Sequence, residues 1–362
     1  MTVVQATQAT ERHLSLRGFI GFLTGVYTLA LLLFVILRLI FGDSLWWLAF
    51  FGNFTPFYFA VLIALLPLAL LVRARRAALL MLPLVLIGLL MFAPPYLPKA
   101  QATTQAQAAP TADSFRLITF NVWGDNPDMS RIEDWLKTQQ ADAVVTIELP
   151  PAWANGVPVL KEVYPQQITN HAQGIYWGST VLSSHPIIST DVFNLGEIPQ
   201  QRIVIEVGGQ QIAIYAIHLY LPVGDKPHIP LQTNFYSNSF LSYDGAKREA
   251  QIHTLLDRLK GEPLPYVVAG DFNLSDQAAA YNDLASTMGD SFREVGVGLG
   301  TSWPSFQAFG LPAVIPPLVR IDYIWHSDSL RALQAEEGPF LGSDHRPMLA
   351  TLALAHEGED VR

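Results

Sequence analysis

The sequence predicts an α/β domain of two stacked sheets with helices outside, preceded by three apolar helices long enough to cross a membrane. Three observations carry this reading. Half of the 362 residues are hydrophobic, only 15% are charged and the mean hydropathy is +0.27, whereas an ordinary soluble domain is roughly 25% charged. The chain also divides into unlike parts. Residues 1–100 hold seven Lys/Arg and two Asp/Glu, a net of +5, and residues 101–362 hold fifteen and twenty-nine, a net of −14. The acidic part mixes short strand-like apolar runs with helical spacings, with strand-to-strand neighbours as well as strand–helix alternation. With no cysteine in the chain, disulfides, thiolate metal sites, iron–sulfur clusters and a Cys nucleophile are excluded.

In the N-terminal third, residues 18–41, 45–72 and 77–97 are apolar runs, each of about the 20 residues a bilayer-spanning helix needs. The first is too long for a cleavable signal peptide, and two more follow it. Arg12 and Arg17 precede the first run, and Arg73, Arg75 and Arg76 join the second to the third. Positively charged loops stay cytoplasmic. The N-terminus is therefore expected inside, and everything after the third run outside the cytoplasmic membrane. Arg38 weakly opposes this and can snorkel to the headgroups. Residues 99–113, rich in Ala, Gln and Thr, read as a flexible linker reaching at most about 50 Å. The domain beyond it, 114–362, is then free to lie near the membrane or lift away.

Strands are expected over 115–122, 143–147, 179–182, 202–207, 211–218, 266–269, 320–325 and 348–354. Gly208-Gly209 marks a hairpin between two of them. Helices are expected over 130–140, with Ser130 as N-cap, and over 245–260. No internal repeat is present.

One pattern recurs along these strands: an apolar run stops on a polar residue. Asn121 ends LITFN, Glu148 follows AVVTI, and His218 ends IAIYAIH. Asp271 and Asn273 follow PYVVAG, Asp322 lies in VRIDYIW, and Asp344-His345 precede the last strand. Adjacent strands would bring these ends to one edge, where sites commonly form. Three Asp, one Glu, two Asn and two His make hard-oxygen ligand chemistry with a base, suited to Mg²⁺ or Mn²⁺ and a phosphate.

The order TFNV (119–122), IE (147–148), IHL (217–219), AGDFN (269–273), RIDYI (320–324) and SDHRP (343–347) resembles the endonuclease/exonuclease/phosphatase, or DNase I-like, superfamily over about residues 115–354. The membrane part lies outside that match. Its combination with this domain is similar to a bacterial group of integral membrane proteins that includes teicoplanin-resistance-type proteins. The resemblance implies a four-layer α/β/β/α sandwich and a Mg²⁺-dependent hydrolase of phosphoester bonds. It implies Glu148 as principal metal ligand, helped by Asn121 and Asp344. Asp271 and Asn273 would orient the attacking water and hold the phosphate. His345 would be the catalytic histidine, oriented by Asp322, and His218 a second phosphate-facing one. The chain departs from some nucleases of the superfamily, since no acidic partner for His218 stands near 174–182. Ser184-His185 replaces a usual basic residue, and His185 is expected at the surface. His171, His228, His253, His326 and His356 match no motif and are expected to be structural. Arg248 and Gln251 are expected to support the site from the following helix.

A net of −14 without a Lys/Arg cluster disfavours nucleic acid as the substrate. A smaller phosphoester fits better. Two loops flank the site residues: 221–244, with Phe235, Tyr236, Phe240 and Tyr243, and 301–318, with Trp303, Phe306, Phe309 and Leu311. Both can simply cover a sheet edge; the sharper expectation is that the second faces the bilayer or a lipid tail. The expected protein is a membrane-anchored, outward-facing, metal-dependent phosphoesterase acting on phosphomono- or phosphodiesters, with lipid-linked or envelope phosphates among the candidates. An extracellular nuclease and a non-catalytic envelope binding protein are the alternatives. No protein partner is inferred.

Overall fold

A computed structural model describes residues 16–97, 99, 114–171, 178–229 and 240–355. The chain forms two compact units, Met1–Gly42 with Thr55–Pro94, and Asp43–Phe54 with Pro95–Arg362. Linker residues 100–113, Phe235, Tyr236 and His356 lie outside the described residues.

The helices of the N-terminal third are α1 (Leu16–Phe41), α2 (Trp46–Gly52), α3 (Thr55–Leu71) and α4 (Arg75–Phe92). Helices α1 and α4 are each long and apolar enough to cross a membrane, and α2 with α3 counts as a third candidate only if the two are taken together across a bend. The continuous helix expected over 45–72 is thus two. Asn53 turns its amide back onto the Phe50 carbonyl, at 3.0 Å, closing α2. Pro56 then sits in the first turn of α3, a position where a missing N–H suits starting a helix better than continuing one. Helix α4 begins before Ala77 and stops at Phe92 rather than Leu97, because Pro94-Pro95 bend the chain into a 3-10 turn. In the first unit α1, α3 and α4 bury Leu31, Phe59, Leu62, Met81 and Leu84 together.

The second unit contains α2 and then, in chain order, β1 (Ser114–Asn121), α5 (Met129–Thr138), β2 (Ala143–Ile147), β3 (Gln166–Asn170), β4 (Ser179–Ser183), β5 (Ile187–Leu195), β6 (Ile198–Val207) and β7 (Gln210–His218). It continues through α6 (Ala246–Leu259), β8 (Tyr266–Asp271), α7 (Ala280–Ala285), β9 (Gly289–Asp290), α8 (Ser291–Val295), β10 (Asp322–His326), β11 (Leu330–Glu337) and β12 (Met348–Leu354). The strands pair into two mixed sheets, ordered β11-β12-β1-β2-β4-β3 and β5-β6-β7-β8-β10-β9. Each sheet has one parallel pair near its middle, β1/β2 and β7/β8, and antiparallel neighbours around it.

Side-chain alternation sets the layers. Leu117, Val145 and Val181 of one sheet meet Ile203, Ile214 and Val267 of the other. On the outer faces, Ile118, Phe120 and Val144 pack under Ile132 and Leu136 of α5, and Ala213, Tyr215 and Ile217 pack under Ile252 and Leu255 of α6. Helix α5 is capped not by Ser130 but by Asp128, whose carboxylate accepts the Arg131 N–H. Strand β10 starts at Asp322 instead of Arg320, because the buried Arg320 guanidinium turns to a bidentate pair with Asp290, at 2.8 and 2.6 Å. Lys99 is also anchored, donating to the Phe292 and Arg293 carbonyls of α8.

At the centre of the second sheet the backbone conformation of β8 leaves no room for a side chain at one position. Gly270, with φ +148, lies opposite Ile217, and a Cβ there would fall 1.8 Å from the Ile217 carbonyl oxygen. Gly209, at φ +81, has nothing within 4 Å of its would-be Cβ. Gly209→Ala should therefore cost only roughly 1–2 kcal/mol, the ordinary penalty of a left-handed L-residue, and Gly270→Ala about 3 kcal/mol or more. Denaturant unfolding of the full chain in detergent, followed by tryptophan fluorescence, measures both.

Candidate active site

Six strand ends deliver the polar residues to one place. Asn121 closes β1, Glu148 follows β2, His218 closes β7 and Asp271 closes β8; Asp322 opens β10, and His345 lies just before β12. In the second sheet His218 and Asp322 both lie directly opposite Asp271 in register. In the first, Asn121 pairs with Ile147, the residue before Glu148. The chain turns sharply at these ends. Trp123 (φ 59), Glu148 (φ 59) and Asn273 (φ 48) all adopt the left-handed conformation, which is costly for non-glycine residues and gathers at functional sites.

The contacts are close. The Asn121 amide donates to Glu148 Oε1 at 2.9 Å and to Asp271 Oδ2 at 3.0 Å, bridging the two sheets. His218 Nε2 stands 3.9 Å from both Glu148 Oε1 and Asp271 Oδ2. His345 Nδ1 is 2.8 Å from Asp322 Oδ2, and its Nε2 is 3.7 Å from Asp271 Oδ2. Asn273 donates its backbone N–H to Asp271 Oδ1 at 2.8 Å and its side-chain amide to the Leu219 carbonyl at 2.9 Å. Asp344, half-buried, accepts from Trp303 Nε1 at 3.1 Å. Ligand atoms of Glu148, His218 and Asp271 lie within 4.8 Å of one another, and so do those of Asp271, Asp322 and His345. Asp344 belongs to neither grouping.

Burial shapes the electrostatics. It pushes the Asp271 carboxyl up to about 7, and the neighbouring Asp322 carboxylate adds to the rise. Burial also raises Glu148, against the opposing hydrogen bond from Asn121. For His345 burial disfavours the charged ring, but Asp322, Asp271 and Asp344 outweigh it and hold the imidazolium well above its ordinary range. Asp322 Oδ1 is buried with no hydrogen-bond partner. An excess of buried carboxylate oxygen, partly neutralised by one imidazolium, fits a hard divalent cation. Glu148, whose carboxylate the Asn121 NH2 group holds beside Asp271, is the residue that would hold it.

Several residues support the site through backbone groups, and of these Ser302 and Gln200 carry no signal in their local sequence. Ser343 Oγ donates to the Asn121 carbonyl at 2.8 Å and accepts the His345 N–H at 3.0 Å. Ser302 Oγ accepts the Ile321 and Asp322 N–H groups. Gln200 holds the His218 backbone from both sides, at 2.7 and 2.9 Å. Arg248 donates to the Asn273 carbonyl, and Gln251 bonds Leu195 and Tyr220 backbone groups, so both brace loops around the site. His185 is half-buried and pairs with Asp142, and His326 is buried on Glu294 and Ser327. His228 bonds the Tyr243 carbonyl at 3.0 Å; His171 and His253 are exposed.

A prediction follows from the raised Asp271 carboxyl. A carboxyl whose folded value lies near 7 and whose unfolded value is about 3.9 binds more protons folded than unfolded in between. Its contribution to stability is full below about pH 4 and is lost as pH rises through about 7. Metal-free protein should therefore melt lower at pH 8 than at pH 6, and Mg²⁺ or Mn²⁺ should restore the loss at pH 8. Thermal melts across pH, with and without cation, check this.

Among solved structures, the chain is similar to an endonuclease/exonuclease/phosphatase from Bacteroides vulgatus (19% identity, TM-score 0.51, 67% of this chain and 99% of that one). It is also similar to a conserved protein of unknown function from Enterococcus faecalis (18% identity, TM-score 0.50, 66% and 100%). At such identity the likeness concerns the fold. No curated protein matches. A family model, described as the Endonuclease/Exonuclease/phosphatase family, matches residues 118–345, which is more than half of the chain and includes all eight strand-end residues. The chain therefore belongs to the Endonuclease/Exonuclease/phosphatase family, whose members are hydrolases acting on phosphoesters.

Proposed function

We propose that the protein is a membrane-anchored, divalent-metal-dependent phosphoesterase whose catalytic unit works outside the cytoplasmic membrane. It would belong to the bacterial membrane-anchored branch that its N-terminal third resembles. The family supports the reaction class. The observation that supports the site most directly is the buried dyad of Asp322 and His345, whose Nε2 faces Asp271 at 3.7 Å beside the Glu148–Asn121 pair. Helices α1 and α4 support anchoring by their length and composition, and Arg17, Arg73, Arg75 and Arg76 support the orientation.

The residues divide the work by their charge. Asp271, with a carboxyl near neutrality, is suited to take a proton from water attacking phosphorus. Asn273, held left-handed beside it, offers its amide to the phosphate. His345 is charged and cannot swing away, since Asp322 holds Nδ1. Its Nε2 proton can therefore meet negative charge as it grows on a phosphate oxygen. His218, between Glu148 and Asp271, faces the same space. A divalent cation held by Glu148, whose carboxylate the Asn121 amide positions, would supply further positive charge to the phosphate when bound. The −14 charge of residues 101–362 favours a small phosphoester over nucleic acid.

Two measurements test this on a panel of phosphomono- and phosphodiesters. Chelation should abolish turnover and Mg²⁺ or Mn²⁺ should restore it, while Glu148→Ala should lose more than about 100-fold with its melting temperature little changed. Full activity in Glu148→Ala would reject the assignment. Asp322→Asn leaves the shape of the dyad but removes the charge that sustains the imidazolium. It should lower kcat by on the order of 10²–10⁴ with KM nearly constant.

A further inference from the structure

Residues 301–319 contain no charged side chain. They leave and re-enter the body of the catalytic unit at one point, where Trp303 and Val319 bridge. The excursion is fixed to the active site. Trp303 and the Ser305 N–H both bind Asp344, and the Phe309 ring lies 6.4 Å from Trp123, two residues beyond Asn121. Its tip is not folded inward. Phe309 is 44% exposed, Leu311 46% and Val314 84%. An exposed, uncharged apolar segment tied to Asp344 and Trp123 beside the active-site residues signals an apolar contact made in function.

A second observation says what it contacts. The aromatic segment around α2, charged only at Asp43, belongs to the catalytic unit. The Trp46 ring stacks on His228 at 4.8 Å, and Phe50 packs edge-on against Phe240 and Tyr243. The Asn53 amide donates to the Tyr243 hydroxyl at 3.1 Å, and Asp43 accepts the Ala279 N–H. These partners lie on the loop that follows His218 and at the start of α7. Yet α2 is only four residues from the end of α1 and two from the start of α3, a reach of under about 20 Å. If α1 and α3 lie in a bilayer, a part of the catalytic unit beside its active-site loop is held at the bilayer surface.

We propose that the 303–316 excursion is a membrane-facing lip, and that the phosphoester this site hydrolyses is carried on a membrane lipid. The apolar part of that substrate stays in the bilayer while its phosphate reaches Asp271 and His345. This substrate class rests on the phosphoesterase reading above; the lip itself does not.

Because the chain has no cysteine, Leu311→Cys or Val314→Cys can carry a single bimane label on the full protein in phosphatidylcholine vesicles. Gln210→Cys is the reference, because Gln210 lies at the opposite end of β7 from His218. Nitroxide-labelled phosphatidylcholine should quench the labels at 311 and 314 markedly more than the label at 210. Equal quenching at all three overturns the lip. The second readout is a ratio of turnovers: phosphatidic acid and phosphatidylglycerol in the vesicle, against p-nitrophenyl phosphate and bis-p-nitrophenyl phosphate in solution. In Leu311→Asp with Val314→Asp the lipid-to-soluble ratio should fall by about tenfold or more. A misfolded variant would lose both activities, so the ratio is read only where turnover of the soluble esters survives; an unchanged ratio in such a variant overturns the substrate class. If wild-type protein turns over neither kind, the phosphoesterase reading and the substrate class fall together, while quenching still decides the lip.

Discussion

The buried Asp271 carboxylate is the constraint around which the rest is arranged. It sits at the end of a central strand with His218 across one side of the ladder and Asp322 across the other. Glu148 reaches in from the facing sheet through the Asn121 amide. Three carboxylates drawn out of water at such separations cannot all remain charged without compensation. Balance can come from a proton on Asp271, an imidazolium at His345 and, in the function proposed above, a bound cation. Catalysis of phosphoryl transfer uses the same three, since water must lose a proton and the phosphate oxygens must meet positive charge. The electrostatic tension that makes the site costly to fold is what makes it reactive.

Holding that tension needs a stiff frame, and the frame is local. The left-handed turns at Trp123, Glu148 and Asn273 each follow a fully paired central strand, so the strain is opposed by a complete ladder and by sheet-on-sheet packing behind it. Ser343, Ser302, Gln200 and Arg248 then satisfy backbone groups of the site-bearing segments. They touch neither the cation nor the phosphate in the reading above, yet they determine where Asn121, Asp322, His218 and Asn273 begin.

The strand-end residues could be read from sequence because each breaks a hydrophobic run at a place where a purely structural strand would continue or turn. The two-sheet arrangement was equally visible in the buried runs of β1, β2, β7, β8 and β12. Other features gave weaker signals. Strands β3, β5 and β11 (QQITN, IISTDVFNL, LRALQAEE) are edge or near-edge strands with little apolar alternation, and tertiary pairing alone selects their conformation. Ser302 and Gln200 act through backbone groups far away in sequence, so no spacing announces them; Ser343 stands in the SDHRP run, but its bond to the Asn121 carbonyl has no local signal. The break at Asn53 was masked by composition: both halves of 45–72 are equally apolar, and hydropathy does not register a side-chain amide capping a helix.

That break changes what the N-terminal third is for. Three uninterrupted spans and a single linker would make the membrane part a mooring, with the catalytic domain free at the end of residues 99–113. Instead the chain contributes to the catalytic unit twice, through Asp43–Phe54 and again from Pro95 onward, and Lys99 is already bonded to α8. Trp46 and Phe50 of α2 pack on His228, Phe240 and Tyr243, between His218 and the start of α6. A change in the surroundings of α2 can thus reach the phosphate-facing residues through packed side chains and backbone hydrogen bonds rather than through a flexible chain. On this view residues 43–54 are part of the catalytic machinery's support, as Gln200 and Arg248 are.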